Sequence, residues 1–246
     1  MSIGQEDLGF SPPDLEEMFE AASRSDSGPV RALNEDRVVV SPGLWAVADG
    51  MGGHEAGDVA AQMVADALAV LAGEGGPVAV ADAVAALEGA NAALLHGTLG
   101  GTSGSTVVAL IVHGRTYHCL WAGDSRAYLW RENRLRPLTR DHSLVQELVD
   151  AGVLEPDQAR DHPRANVITR AIGVSELLQL DRADGRVESR DIFLLCSDGL
   201  TGALSEWEIA SFLARADLDT LADDMLGAAL AKPARDNVSF VLIRAR

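Results

Sequence analysis

The chain has 246 residues, of which 47% are hydrophobic and 23% are charged. This length and composition predict a globular protein of one large domain or two small ones, and they exclude a collagen, a coiled coil or a disordered chain. The net charge is −17, and Lys232 is the sole lysine. Nucleic acid is therefore not an expected partner, because phosphate binding depends on a cationic surface.

The N-terminus and the cysteines indicate the expected location. The first ten residues lack the basic and apolar regions of a secretory signal, and acidic residues interrupt the long apolar stretches, so we expect a cytoplasmic protein without a membrane span. Cys119 and Cys196 lie in apolar runs and are predicted to be buried thiols, which fits a reducing compartment. Residues 1–22 hold six acidic residues and no basic one. We predict an acidic extension there, with a frayed terminus favoured over a short amphipathic helix at 14–19.

Hydrophobic periodicity predicts the order of the elements after residue 22. Strands are predicted where short apolar runs lie between turn residues, at 37–40, 44–48, 106–113, 116–122, 126–130, 192–196 and 238–243. Helices are predicted at 58–70, 77–96, 143–151 and 218–231, with a further helix beginning at the Ser205–Glu208 capping box. The polar segment 138–172 is predicted to be a mobile flap. Strands linked by hairpins, with helices in separate blocks, predict an α+β fold with antiparallel sheets.

Four aspartates share one context, since each lies at or beside the end of an apolar strand, in a turn that contains Gly or Asn. They are Asp49, Asp124, Asp198 and Asp236. If those strand ends meet, four carboxylates converge, and charges of one sign so close together require a cation. Oxygen ligands without a Cys or His set favour Mg²⁺ or Mn²⁺. Any one Asp-Gly pair read alone indicates only a turn, so the hypothesis depends on the surrounding segments.

Six motifs occur in order along the chain: SDSGPVRALNED at 25–36, DGMGGH at 49–54, GTSGST at 101–106, GDSR at 123–126, SDGL at 197–200 and DN at 236–237. In these motifs the sequence resembles the metal-dependent protein phosphatases, the type-2C Ser/Thr phosphatase family, and in particular its bacterial branch. The resemblance covers residues 25–243. It implies a four-layer αββα sandwich with two central antiparallel β-sheets flanked by helices, in which 23–246 form the catalytic domain.

The resemblance also implies a metal centre with two core ions, Mn²⁺ or Mg²⁺. It assigns Asp49 to bridge both ions, and it assigns the backbone carbonyl of Gly50 to one of them. Asp198 and Asp236 are implied to hold the second ion, and Asp36 is implied to act through metal-bound water. The implied activity is hydrolysis of phosphoserine and phosphothreonine on proteins by direct attack of a metal-bridging water, opposing a bacterial Ser/Thr kinase. We expect a monomer.

For two further residues, Arg31 and Asp124, an alternative to the role implied by the resemblance stays open. The resemblance implies that Arg31 is catalytic and binds the substrate phosphate as a bidentate fork, and the alternative for Arg31 is a surface ion pair. Asp124 is implied to belong to a third, weaker metal site, and its alternative role is to cap a turn. Met51 stands where some relatives have a His that acts as general acid, and Met cannot donate a proton. His54 and His142 are the nearest candidates, but structural roles are favoured for both.

Two other functions remain open at this point. The first is a binding module that keeps the phosphatase fold without catalysis, and the intact Asp49, Asp198 and Asp236 argue against it. The second is a phosphatase restricted to one phosphoserine regulator, such as an anti-anti-sigma factor. Arg31 and the segment 34–36 favour the broader class that opposes kinases. The sequence identifies neither the phosphoprotein substrate nor the kinase.

Overall fold

The computed structural model describes residues 12–52, 56–73, 76–97, 103–159, 162–215, 217–232 and 236–246. Within these ranges the elements follow in chain order as α1 (Pro12–Met18), β1 (Phe19–Asp26), β2 (Asp36–Ser41), β3 (Leu44–Gly52), α2 (Ala56–Gly73), α3 (Val80–His96), β4 (Ser103–Ser105), β5 (Val107–His113), β6 (Thr116–Ala122), β7 (Arg126–Arg131), β8 (Arg134–Pro137), α4 (Leu144–Asp150), α5 (Pro156–Ala159), β9 (Asp181–Arg186), β10 (Ile192–Cys196), α6 (Asp198–Ala203), α7 (Glu206–Leu213), α8 (Leu218–Leu230) and β11 (Val238–Ala245).

The strands form two antiparallel sheets. In the first, called sheet I, the strand order is β1-β11-β10-β7-β8. In the second, called sheet II, the order is β2-β3-β5-β6-β9, and the short strand β4 extends the pairing of β3. Hairpins join β2 to β3 and β5 to β6, as the apolar runs and turn residues predict. The expected α+β class with antiparallel sheets is confirmed.

Three apolar cores separate four layers. Val64 and Leu68 of α2 pack with Leu87 of α3 against one face of sheet II. The inner faces of the two sheets meet in a second core that contains Trp45 and Phe193. Helices α6, α7 and α8 cover the outer face of sheet I in a third core. The layers therefore run helix, sheet, sheet, helix, which is the four-layer αββα sandwich that the resemblance implies.

Helix α2 is the one helix in the described ranges that is long and apolar enough to cross a membrane by length and composition. Ala60, Val64 and Leu68 lie on one face and are buried against sheet II, whereas Val59 and Val70 are exposed. On the opposite face Asp58 forms an ion pair with Arg37 of β2. This division is typical of an amphipathic helix packed in a protein core.

The chain joins the fold earlier than the predicted boundary between residues 22 and 23. Strand β1 begins at Phe19 and pairs with β11 along its length. Leu15 of α1 is 1% exposed and packs between the two sheets. Burial of this apolar side chain favours a docked helix, so the favoured expectation of a frayed end does not describe residues 15–22. Residues 1–11 of the predicted acidic extension lie outside the described residues.

The sequence pattern missed the polar strands. Strand β9 reads DRADGR and forms the outer edge of sheet II, where every second residue is exposed. It pairs with β6 through its backbone, so it needs no apolar alternation to form. The predicted helix at 143–151 is confirmed as α4, and Ser143 caps its N-terminus by accepting the backbone N–H of Gln146. Both cysteines are buried and free, as predicted.

Candidate functional site

Aspartates from both sheets gather where four strand ends meet. Asp36 begins β2 and lies opposite Asp49 of β3 in the antiparallel register. Asp198 follows the end of β10, and Asp236 precedes β11, which pairs with β10. Asp124 lies in the turn between β6 and β7. Asp49 lies close enough to Asp36, Asp124, Asp198 and Asp236 for their charges to act on it, and the roles of these residues as metal ligands stay a prediction.

Burial and mutual repulsion act on these carboxyl groups. Burial raises the pKa of Asp36 to about 7, and the charges of Asp198 and Asp236 add to that effect. Burial, together with the other four carboxylates, raises the pKa of Asp49 well above its usual value. Burial, then Asp236, raises the pKa of Asp198 to about 6, and burial raises that of Asp124 to about 7. A divalent cation would relieve this repulsion.

Two of these carboxylates accept hydrogen bonds from neighbouring side chains. Arg31 Nη2 donates to Asp236 Oδ2 at 2.7 Å, and Ser197 Oγ donates to Asp36 Oδ2 at 2.8 Å. In the described part of the chain, no group of three or more Asp, Glu, His or Cys side chains has the spacing of a metal-ligand set. Asp124 Oδ1, however, is buried without a hydrogen-bond partner. An all-oxygen donor set with one unpartnered buried oxygen fits Mg²⁺ or Mn²⁺.

The backbone around Asp49 is held on three sides. Its N–H donates to Thr106 Oγ1 at 3.1 Å, and its carbonyl accepts the N–H of Thr106 at 2.9 Å. The N–H of Gly50 donates to the carbonyl of Glu35 at 3.1 Å. A Cβ at Gly50 would overlap the carbonyl of Gly57 in α2, so only glycine fits at this crossing of strand and helix. The strand end therefore holds Asp49 in a fixed position.

Sequence reasoning assigned no role to Thr106 and Ser125, although both lie in the quoted motifs. Their hydroxyl oxygens are 2.7 Å apart and buried, and this contact joins the backbone of Asp49 to the turn of Asp124. The residue types permit such a bond, but the two side chains meet only after β5 and β6 have paired. No local signal in the sequence identifies this link.

Asn237 is a second residue whose role the sequence did not reveal. Its Oδ1 accepts the N–H of Glu35 at 2.9 Å, and its Nδ2 donates to the carbonyls of Ser27 and Leu33 at 2.9 and 3.0 Å. These three bonds fasten the segment 27–35 beside Asp236. That segment carries Arg31, so Asn237 determines where the guanidinium enters the site.

The remaining candidate residues are placed as follows. Arg31 lies at the rim of the site, with its side chain about half exposed in the ion pair with Asp236. His142 is buried, and its Nδ1 accepts the N–H of Gly123 at 3.2 Å, which agrees with the favoured structural role. His54, together with residues 53, 101 and 102 of the quoted motifs, lies outside the described residues.

Residues 23–148 match the family described as Protein phosphatase 2C. The Ser/Thr protein phosphatase PstP of Mycobacterium tuberculosis is 39% identical over 228 residues, which cover 90% of this chain and 44% of that protein. The Ser/Thr phosphatase stp of Listeria welshimeri is 34% identical over 239 residues, which cover 91% of this chain and 94% of that protein. The crystal structure of the catalytic domain of PstP in complex with two manganese ions matches with a TM-score of 0.85 and 35% identity, covering 92% of this chain and 98% of that one.

The lengths of these relatives differ. This chain spans less than half of the Mycobacterium tuberculosis protein but nearly all of the Listeria protein. The similarity in sequence and the similarity in fold each extend over about nine-tenths of the chain. The chain belongs to the protein phosphatase 2C family.

Proposed function

We propose that this protein is a metal-dependent Ser/Thr protein phosphatase, which hydrolyses phosphoserine and phosphothreonine on proteins. The observation that carries the proposal is the meeting of five buried or half-buried aspartates from both sheets beside the guanidinium of Arg31. Divalent cations would offset the repulsion between these carboxylates, and the guanidinium beside them can donate hydrogen bonds to a phosphate. Relatives that share the fold over most of the chain are named as Ser/Thr phosphatases.

The cofactors in this proposal are two core ions, Mn²⁺ or Mg²⁺, with a third and weaker site at Asp124. The residues that would hold the core ions are Asp36, Asp49, Asp198, Asp236 and the carbonyl of Gly50. When bound, the ions would supply activation of water near neutral pH and neutralisation of phosphate charge. The buried and unpartnered Oδ1 of Asp124 leaves one carboxylate oxygen available to a cation, which supports a ligand role at this site.

The chain's own residues supply binding and orientation. Arg31 would donate two parallel hydrogen bonds to the phosphate, and because its side chain is half exposed it can reach substrate at the rim. Asn237 fixes the segment that carries Arg31, and Ser197 orients Asp36 through its hydroxyl. Such preorganised donors stabilise charge that develops on phosphate oxygens in the transition state.

Met51 and His142 do not supply a proton to the leaving seryl oxygen in this proposal. Met51 has no ionisable group, and His142 has its Nδ1 engaged by the N–H of Gly123 and its Nε2 facing Asp181. The expected partners are phosphorylated proteins and a cognate Ser/Thr kinase, and we propose a monomer in the cytoplasm. The two free, buried thiols support a reducing compartment.

The test is phosphate release from a phosphothreonine peptide with Mn²⁺, with and without a chelator, and with a phosphotyrosine peptide as the matched control. The proposal expects release from the phosphothreonine peptide that the chelator abolishes. If Mn²⁺ binds by calorimetry and the peptide binds without release, the chain is a binding module instead. Release that continues in the chelator would contradict a metal-dependent mechanism.

A further inference from the structure

His142 lies against the turn that carries Asp124. Gly123 donates its N–H to the Nδ1 of His142 at 3.2 Å, and His142 donates its own backbone N–H to the carbonyl of Gly123 at 2.9 Å. The residue before Asp124 is thus held by the imidazole and by the main chain of the same histidine. Gly123 has a φ of +117°, and a Cβ there would lie 2.6 Å from the side chain of Thr106. Position 123 in this turn therefore admits only glycine.

The other side of the imidazole faces Asp181 at the start of β9. His142 Nε2 lies 3.2 Å from Asp181 Oδ2, at ion-pair distance but not aligned as a hydrogen bond. Asp181 Oδ1 lies 3.1 Å from Arg170 Nη1. The ring, 7% exposed, stacks on Trp121 with 17° between the planes. One line of contacts thus runs from Arg170 through Asp181 and His142 to Gly123.

The carboxylate of Asp124 depends on its backbone for orientation. Its Oδ1 is buried and accepts no hydrogen bond, so no neighbouring side chain fixes that oxygen. The backbone on one side is held by His142 through Gly123, and on the other side Ser125 bonds to Thr106. A shift of Gly123 would therefore turn the carboxylate directly.

We propose that His142 is a positioning residue for the reaction: its Nδ1 fixes the amide of Gly123 and thereby directs Asp124, while its Nε2 faces Asp181, which pairs with Arg170. The inference rests on the proposed function for the importance of Asp124. It requires no contact between His142 and substrate. Groups that orient metal ligands act in this way on metal affinity and on rate.

The first test needs neither metal nor activity. Burial lowers the pKa of His142, so the imidazole is neutral at pH 7, and an Nδ1 that accepts a hydrogen bond leaves the proton on Nε2. Nitrogen-15 NMR of the metal-free protein should show the Nε2–H tautomer for His142 and a slowly exchanging amide for Gly123. A ring protonated on Nδ1, or a fast-exchanging Gly123 amide, would overturn the proposal.

The second test uses two substitutions that separate the roles of the two ring nitrogens of His142. In His142→Asn, Oδ1 takes the place of Nδ1 and keeps the acceptor for Gly123. In His142→Gln, the amide Nε2 takes the place of the imidazole Nε2 toward Asp181. This variant has no acceptor for the N–H of Gly123. His118→Gln is the matched control, because His118 of β6 pairs with Asp184 of β9 and is not in contact with Gly123 or Asp124.

We expect His142→Gln to lower kcat for a phosphothreonine peptide about tenfold, and the affinity of the weakest Mn²⁺ site by a similar factor, with little change in KM. His142→Asn should lose no more than about threefold, since it restores the acceptor. The control should behave as the unmodified protein. Equal losses in the two His142 variants, with both folded by circular dichroism, would overturn the proposal.

The two hypotheses fail in different ways. If the unmodified protein binds Mn²⁺ but releases no phosphate, the proposed function fails, while the tautomer, the Gly123 amide and Mn²⁺ calorimetry still test His142. If the unmodified protein is active and His142→Gln leaves kcat, Mn²⁺ affinity and Gly123 exchange unchanged, the inference about His142 fails alone.

Discussion

Strand β10 has an aspartate near each of its ends, one buried and one half-buried, in opposite circumstances. Before its first residue lies Asp191, which is 1% exposed and accepts two hydrogen bonds from Arg131, at 2.8 and 2.6 Å, and one from the N–H of Glu188. After its last residue lies Asp198, whose pKa is raised to about 6 by burial and by Asp236. One carboxylate is fully paired and the other faces carboxylates.

The different surroundings of Asp191 and Asp198 indicate different roles for the two ends of β10. A buried carboxylate that is paired and hydrogen-bonded joins β7 to the turn before β10 and stabilises the fold. Carboxylates that repel one another cost stability, and a protein keeps them only where a cation or a substrate offsets that cost. The two ends therefore predict opposite results for the same change, Asp to Asn.

The largest effect is expected for Asp49→Asn. Loss of the bridging carboxylate should lower Mn²⁺-dependent phosphothreonine hydrolysis by about a hundredfold or more, because ion placement and activation of water depend on it. The metal-free variant should melt at a higher temperature than the unmodified protein, since folding no longer has to bury or protonate this carboxylate. Phosphate release and differential scanning calorimetry measure the two effects. A variant that keeps more than a tenth of the turnover would disprove the bridging role.

Asp191→Asn is the matched change at the other end of β10. We expect a loss of about 2–3 kcal/mol in the free energy of unfolding, below the full cost of breaking a buried pair, because Arg131 keeps Glu188 at 2.6 Å. Turnover of the folded protein should not change, since the residue lies at the far end of the sheet. Urea unfolding and phosphate release measure these quantities. A loss of activity without a loss of stability would contradict the structural role assigned to Asp191.

Arg31→Ala tests the cation at the rim. Removal of a charged hydrogen-bond donor is worth roughly 1.5–3 kcal/mol, so kcat/KM for the phosphopeptide should fall about 10- to 100-fold. Arg31→Lys should recover only part of the loss, because an ammonium lacks the fork geometry. Arg24→Ala, which removes an arginine paired with two exposed aspartates, is the control. An unchanged kcat/KM would place Arg31 outside the site.

The smallest expected effect is the pH dependence of metal-free stability. The folded-state pKa values of Asp36 and Asp198, about 7 and about 6, lie above the value of 3.8 for a free side chain. The folded protein then holds protons that the unfolded chain releases, so these groups lower stability as pH rises from 4 to 7. His142, whose pKa is lowered, acts in the opposite sense, and the same measurement on His142→Gln separates its contribution from that of the carboxylates.

Melting curves at pH 5 and pH 8, with and without Mn²⁺, measure this effect. In the metal-free protein the melting temperature should fall between the two values by a few degrees, on the order of 2–4 °C per kcal/mol. Saturating Mn²⁺ should remove the fall, because it neutralises the carboxylates that repel. A melting temperature that rises with pH in the metal-free protein would contradict the raised pKa values.

The sequence alone determined the features that depend on neighbours a few residues apart. The capping box is one example: Ser205 Oγ accepts the N–H of Glu208, and the Glu208 carboxylate accepts the N–H of Ser205 at 2.9 Å, because both groups fall within one helical turn. The apolar runs of β3 and β10 and the aspartates at their ends are equally local. The family's motifs lie at these places, so fold class and candidate ligands could be predicted.

Tertiary structure decided the contacts between segments that are distant in sequence. Asn237 reaches Glu35 across 202 positions, and the buried bond between Thr106 and Ser125 forms only when β5 and β6 pair. Leu15 fills the space between two sheets, although its acidic surroundings predict a solvated end. Periodicity shows which face of an element is apolar, but not which distant element covers it or which polar groups then meet, because those depend on how the layers pack.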